Sequence, residues 1–224
     1  MLVGARNAIL AGGAAPGPTP AYWGRCFTAE QANSTVAMVA KDSAPSVNLL
    51  YSTDAANWSP FVVGTTTVTL ASVGDKVWLK AGSGGNTTIG APRYHNNFSL
   101  SGLVAASGSV MSLLNGEQET YAFSESCVFQ RLFSGCTALT TAPTLPATTL
   151  MSNCYARMFF NCSSLSSITV DFSVFNPTNA TGSWIYGVAA NGTFYCPTAL
   201  GTNETITRGE TYCPEGWTVI NTDA

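Results

Sequence analysis

The chain has 224 residues, 46% of them hydrophobic and only 9% charged, with a formal net charge of -3. The apolar share supports a buried core and rules out a disordered chain. The nine basic residues form no cluster, so the electrostatic footprint of a nucleic-acid binder is missing.

Residues Met1 to Pro20 are dominated by Ala, Gly and Pro and end in Pro16-Gly17-Pro18-Thr19-Pro20, which neither continues a helix nor pairs in a sheet. This segment reads as a short sticky arm and a stiff linker. It carries Arg6 in its middle and breaks at Gly12-Gly13, so it is too short and too interrupted for a membrane span and a poor signal peptide. From Cys26 to about Leu100, short runs of β-branched and aromatic residues alternate with turn formers. Strands are expected at 34–40, 47–52, 61–63, 66–70, 76–81 and 97–103. The alternation in Thr67-Val68-Thr69-Leu70 and Val77-Trp78-Leu79-Lys80 turns one side inward, as a two-sheet sandwich requires. Trp58 and Trp78 are expected in that core.

Beyond Cys127 the chain repeats itself. Leu132-Phe133-Ser134-Gly135-Cys136-Thr137-Ala138-Leu139 returns, with a 26-residue period, as Met158-Phe159-Phe160-Asn161-Cys162-Ser163-Ser164-Leu165. The period falls in the leucine-rich-repeat range. Each unit reads as a short helix ending at the Phe and Cys, a tight turn, and a strand such as Ser166 to Val170, with Pro146 preceding a helix over 147–160. Phe133 over Phe159, Leu139 over Leu165 and Cys136 over Cys162 are expected to stack coil on coil, the thiols acting as small buried fillers. Two coils leave two open ends, so Gly102 to Gln118 and Ser183 to Ile220 are expected to cap them. The fold class that follows is mainly β with short helices (α+β). It comprises an arm over 1–24, a β-sandwich-like domain over 25–101 and a short leucine-rich-repeat domain over 102–224.

The stretches Cys136 to Leu150 and Cys154 to Leu165 resemble the BspA-type leucine-rich repeats of gut Bacteroidetes and their phages. Val47 to Phe61, Val73-Gly74-Asp75-Lys76-Val77 and Phe98 to Leu113 are similar to the β-module that often precedes such repeats. Thr193-Phe194-Tyr195 and Pro214-Glu215-Gly216-Trp217-Thr218-Val219 are similar to their last coil. The opening Met1 to Ala8 resembles short N-termini of Bacteroides phage proteins. That likeness implies docking of Leu2, Val3, Arg6, Ile9 and Leu10 on a capsid or tail protein. The family resemblance implies adhesion to a host surface protein or glycan, at the virion surface or, alternatively, at a bacterial cell surface. It carries over no catalytic residue and no cofactor, and it leaves open a homo-oligomer.

No G-x-S-x-G or H-E-x-x-H motif is present, and the single His95 reads as a surface loop residue rather than a base. Glu117, Glu119 and Glu125 read as a solvated cap rather than a glycosidase pair. Gly82-Ser83-Gly84-Gly85-Asn86 lacks the Lys-Ser/Thr ending of a phosphate loop, and the scattered Asp54, Asp75 and Asp171 lack a calcium-loop pattern. The seven cysteines have neither zinc nor thioredoxin spacing, and their odd number leaves at least one thiol unpaired in a monomer. No enzyme, metal site or membrane insertion is expected. The ligand-binding side chains expected are the aromatics Tyr94, Tyr155, Phe160 and Trp184, which offer flat faces for sugar rings or a protein partner.

Overall fold

A computed structural model describes residues 25–41, 44–90, 95–116 and 122–223. Its strands in chain order are β1 (Arg25–Ala29), β2 (Ser34–Ala40), β3 (Leu49–Ser52), β4 (Ser59–Phe61), β5 (Thr67–Leu70), β6 (Lys76–Ala81), β7 (Asn96–Ser101), β8 (Val104–Ser107), β9 (Leu139–Thr141), β10 (Ser167–Thr169), β11 (Thr193–Cys196) and β12 (Thr218–Asn221). The one α-helix among the described residues, α1, is the single turn Ser112–Asn115. The fold is therefore mainly β. All six strands expected before residue 103 are present, with slightly shifted ends.

Two strands escaped the sequence reading. β1 opens on a charged Arg, and β8 is the small-residue run Val-Ala-Ala-Ser, whose extended form comes from pairing with β1 on one side and β9 on the other. These two strands make the sheet continuous. Nine strands run in the order β12-β11-β10-β9-β8-β1-β6-β3-β4, and three more form a second sheet, β5-β2-β7. Alternation does what the pattern predicts: Val77, Leu79 and Ala81 of β6 are buried, as are Val68 and Leu70 of β5. Phe27 of β1 meets Phe98 of β7 edge-on at 5.0 Å, joining the two sheets through one core. Trp58 and Trp78 do not fill that core. Trp78 lies on the opposite side of β6 from Val77 and is half-buried, and Trp58 packs against Lys80, whose Nζ stands 4.0 Å from its ring.

The repeat builds coils whose strands are parallel and advance by one 26-residue period, Thr141 facing Ser167 and Ser167 facing Thr193. Opposite these strands lies a wall of turns, where helices over each repeat were expected. Every fourth residue there has positive φ: Cys127, Arg131 and Gly135 in one coil, Asn153, Arg157 and Asn161 in the next, Ser183 and Gly187 in the third. A left-handed residue at every fourth position forbids an α-helix. Backbone amides alternate between two duties. Gln130, Leu132 and Ser134 close local turns onto the carbonyls of Cys127, Phe129 and Arg131, whereas Phe129, Arg131 and Phe133 donate to Cys154, Ala156 and Met158 of the next coil. Tyr155, Arg157, Phe159 and Asn161 donate in the same register to Ala180, Gly182, Trp184 and Tyr186. Residues from Ser183 onward thus begin as a third coil rather than a cap.

Both walls continue into the N-terminal strands. β8 pairs with β9, while the first turn coil receives the Ile89 and Gly90 N–H groups at Val128 and the Phe98 N–H at Leu132, 2.8 Å away. At the far end the outward N–H and carbonyl of Val219 in β12 are both taken by the Asn203 side-chain amide, at 2.7 and 3.2 Å. Arg208 Nη1 binds the Trp217 carbonyl beside it at 2.7 Å. The opposite edge strand, β4, carries Pro60, which has no N–H to offer.

Close packing of the coils makes Gly192 irreplaceable. A Cβ there would collide with the Ser166 carbonyl and lie 2.7 Å from Trp217 Cε2. Gly192→Ala is expected to cost about 2–4 kcal/mol, read as a lower urea midpoint at unchanged slope. A midpoint equal to wild type would contradict the spacing of β10, β11 and β12.

Candidate functional site

The turn wall decides which aromatics face inward. Because the coils repeat in register, ring stacks on ring: Phe98 on Phe133 at 5.0 Å, Phe133 on Phe159 at 5.7 Å and Phe159 against Trp184 at 6.1 Å. A second stack places Phe129 on Tyr155 at 6.2 Å. Tyr155 and Trp184, both expected to be ligand platforms, are fully buried members of these stacks. Apolar neighbours one coil away draw them in, and the Trp184 indole N–H is used on the Tyr212 carbonyl at 2.9 Å. Tyr94 and the arm residues Leu2, Val3, Arg6, Ile9 and Leu10 lie outside the described residues, as do Glu117 and Glu119. Glu125 is exposed.

Among the described residues, Phe160 is the one expected platform found at the surface. It is half-buried and stacks on Tyr186, one coil on, with centroids 5.0 Å apart and planes 18° from parallel. Tyr186 is 45% exposed. The Arg157 guanidinium lies 6.0 Å from the Phe160 ring, within reach of a cation–π contact. Arg131 occupies the same turn position one coil earlier. Its pKa is lowered, first by partial burial and then by the charge of Arg157. Among the described residues neither guanidinium has a carboxylate partner or a side-chain hydrogen bond. Arg131, Arg157 and Tyr186 were missed as site residues although the signal was present. Arg131 and Arg157 are separated by the repeat period, as are Phe160 and Tyr186.

All seven cysteines are buried free thiols, which resolves the odd count without a bridge. Cys136 and Cys162 do more than fill space. Their S–H groups donate at 3.0 Å to the carbonyls of Phe98 and Phe133, each in the layer before. Burial pushes the Cys136 and Cys154 thiols up to about 12, so they are protonated at neutral pH. His95 is 8% exposed and sits just before β7, not on the surface as expected. The Asp54 carboxylate is consumed by its own turn. It accepts the Asn57 N–H at 2.8 Å and the Ala56 N–H at 2.9 Å, and these bonds hold it well below the usual carboxylate range.

A cleft of about 720 Å³ lies beside the Gly82 to Gly85 loop. Its walls include Lys80, Leu114 and Asn115, and no carboxylate, His or thiol is among the described residues that line it. Asn86 crosses beneath it as a latch, binding the Asn48 and Leu113 carbonyls at 3.0 and 2.8 Å. Among the described residues no three His, Cys, Asp or Glu side chains come together as a metal site needs, and no helix is long and apolar enough to cross a membrane. Comparison of the chain with protein-family models, curated proteins and solved structures gives no match. The turn wall, with Arg131, Arg157, Phe160 and Tyr186, is a surface on which charge and aromatic faces converge on consecutive coils.

Proposed function

We propose that the chain is a non-enzymatic structural protein displayed on a phage particle, presenting BspA-type leucine-rich repeats for adhesion to a host or mucosal surface. The observation that carries this reading is the 26-residue register, which returns the same turn position to the same outer wall on each coil. A repeating wall offers a ligand a row of equivalent side chains on a rigid backbone, as solenoid binding proteins do. The arm, by its likeness to phage N-termini, docks on a capsid or tail protein and leaves the coils outward. The alternative is a bacterial cell-surface adhesin built on the same coils.

The two separate on the role of residues 1–20. The full chain and a chain lacking them are expressed in the producing host, and particles are purified on a density gradient. Virion display through the arm requires the full chain to travel with the particles and the shortened chain, still folded by circular dichroism, to remain behind. Equal association of both rejects the arm as the anchor, and recovery in the cell envelope without particles rejects virion display and favours the bacterial adhesin.

A further inference from the structure

We propose that the turn wall binds an acidic glycan, with Arg131 and Arg157 gripping an oxyanion carried on a sugar and the Phe160–Tyr186 stack supporting the ring. The inference rests on the adhesion reading and names the ligand class for it. Two independent observations carry it. The first is charge without a partner: two guanidinium groups on consecutive coils, with no carboxylate pairing either one among the described residues. Their mutual repulsion is relieved by an anion between them, and a planar guanidinium takes carboxylate or sulfate oxygens in pairs.

The second is backbone strain. Arg131 has φ 60° and Arg157 φ 54°, in the left-handed region that Asn and Gly occupy most easily. The same turn series has Asn153, Asn161, Gly135 and Gly187 at other left-handed positions, with Cys127 and Ser183 at the remaining two. A non-glycine residue held there costs of order 1–3 kcal/mol, and such strain concentrates at ligand-binding positions. In one register the strain falls at Arg131, Arg157 and Ser183, and on the two consecutive coils of the arginines the strained side chain is a cation.

Beside this pair, the exposed Tyr186 face and the Phe160 edge supply the flat apolar contact that a sugar ring's C–H surface takes. A long polyanion such as nucleic acid is disfavoured, because the wall offers two cations in a chain whose net charge is -3. The shared chemistry is an anionic sugar, whose charge comes either from a sialic-acid carboxylate or from a sulfate ester.

The test uses the full chain and intestinal mucin on a biosensor surface, in four forms: native, sialidase-treated, desulfated, and stripped of both groups. Native mucin is expected to bind, and stripping both groups is expected to reduce binding at least about tenfold. Whichever single treatment removes most of the signal identifies the source of the charge. Arg131→Gln and Arg157→Gln are each expected to weaken binding about fivefold to tenfold, and the double variant more than about thirtyfold, with weaker salt dependence. Tyr186→Ala, which leaves both charges, is expected to weaken binding to the native form while keeping its salt dependence. Near-UV circular dichroism reports whether each variant keeps the wild-type fold. Binding that persists on stripped mucin, or in the folded double variant, overturns the acidic-glycan inference and leaves adhesion standing. No binding to any form of mucin overturns the inference as well. If the chain then also binds no host cells or matrix protein, the adhesion reading falls with it.

Discussion

Phe133→Ala is expected to destabilise the protein by about 3–5 kcal/mol, the range for deleting a fully buried aromatic ring. The upper end applies because the ring serves two structures at once. It lies between Phe98 and Phe159 in the stack that runs from the N-terminal strands into the coils, so its loss leaves a cavity where the two parts meet. It is also the nearest of three rings around the buried Arg25 guanidinium, 4.6 Å away, against 5.4 and 5.5 Å for Phe98 and Phe27. Among the described residues none of the Arg25 guanidinium nitrogens has a hydrogen-bond partner, so the ring faces are what compensates the cation for lost water. Urea unfolding of Phe133→Ala beside Phe133→Leu measures the effect. The leucine variant keeps most of the volume, and a loss of less than about 1 kcal/mol in the alanine variant would show that the stack carries no weight at this joint.

Alkali is expected to unfold the protein with a midpoint near pH 11, and the buried thiols set the direction. A thiol whose folded pKa is raised stabilises fully below its ordinary value of 9.0, and that contribution is lost as the pH climbs toward the folded value. Cys136 and Cys154, both pushed to about 12, each remove about 1.4 kcal/mol per pH unit above 9. Cys213, also pushed up to about 12, adds the same slope, and Cys26, Cys127, Cys162 and Cys196 are raised in the same direction. Arg25 works the other way. Burial pulls its pKa down to about 9, so above that pH the folded chain sheds a proton that the unfolded chain keeps, and stability rises by one proton's worth.

Cys136, Cys154 and Cys213 against one guanidinium already leave a net loss of about 3 kcal/mol per pH unit, to which the other raised thiols add. Two units of this consume a typical domain stability of about 5–15 kcal/mol or a large part of it. Arg25→Met removes both the opposing proton and the cost of burying the charge. It is expected to gain about 1–3 kcal/mol at pH 7 and to steepen the alkaline limb. Near-UV circular dichroism against pH, with a reductant present, measures both effects. A less stable Arg25→Met at pH 7 would mean that the three ring faces outweigh desolvation. A midpoint beyond pH 12 would mean that the thiols ionise without unfolding the chain.

Strand positions were legible wherever one face meets the core, because alternation in β5 and β6 reports burial directly. β8 was not legible, since Val104-Ala105-Ala106-Ser107 has little side chain to alternate, and its pairing partners β1 and β9 are both remote from it in the chain. The expected helices over the repeats failed for a specific reason. Apolar residues at 129, 132, 133 and 136 have helical spacing, but a left-handed position at every fourth residue gives nearly the same pattern as a helix of about 3.6 residues per turn. The left-handed residues were the distinguishing sign: Gly135 lies one turn beyond Arg131, and Asn153 and Asn161 lie one turn to either side of Arg157. The site was half legible. Phe160 was identified at the surface, whereas Tyr155 and Trp184 look alike in sequence and are drawn inward by rings on neighbouring coils.

The two closed sheet edges make coil number an independent variable of this architecture. Asn203 and Pro60, which end the sheet, both lie outside the repeating unit, while the joints between coils are translationally alike: ring on ring, thiol on carbonyl, left-handed turn on left-handed turn. Duplicating one 26-residue cassette in frame would insert a further rung of about 4.8 Å and leave both termini of the stack chemically unchanged. Length in such a molecule is inherited in whole steps. A lineage can extend or shorten it by a single recombination between copies, without solving the problem of a new end.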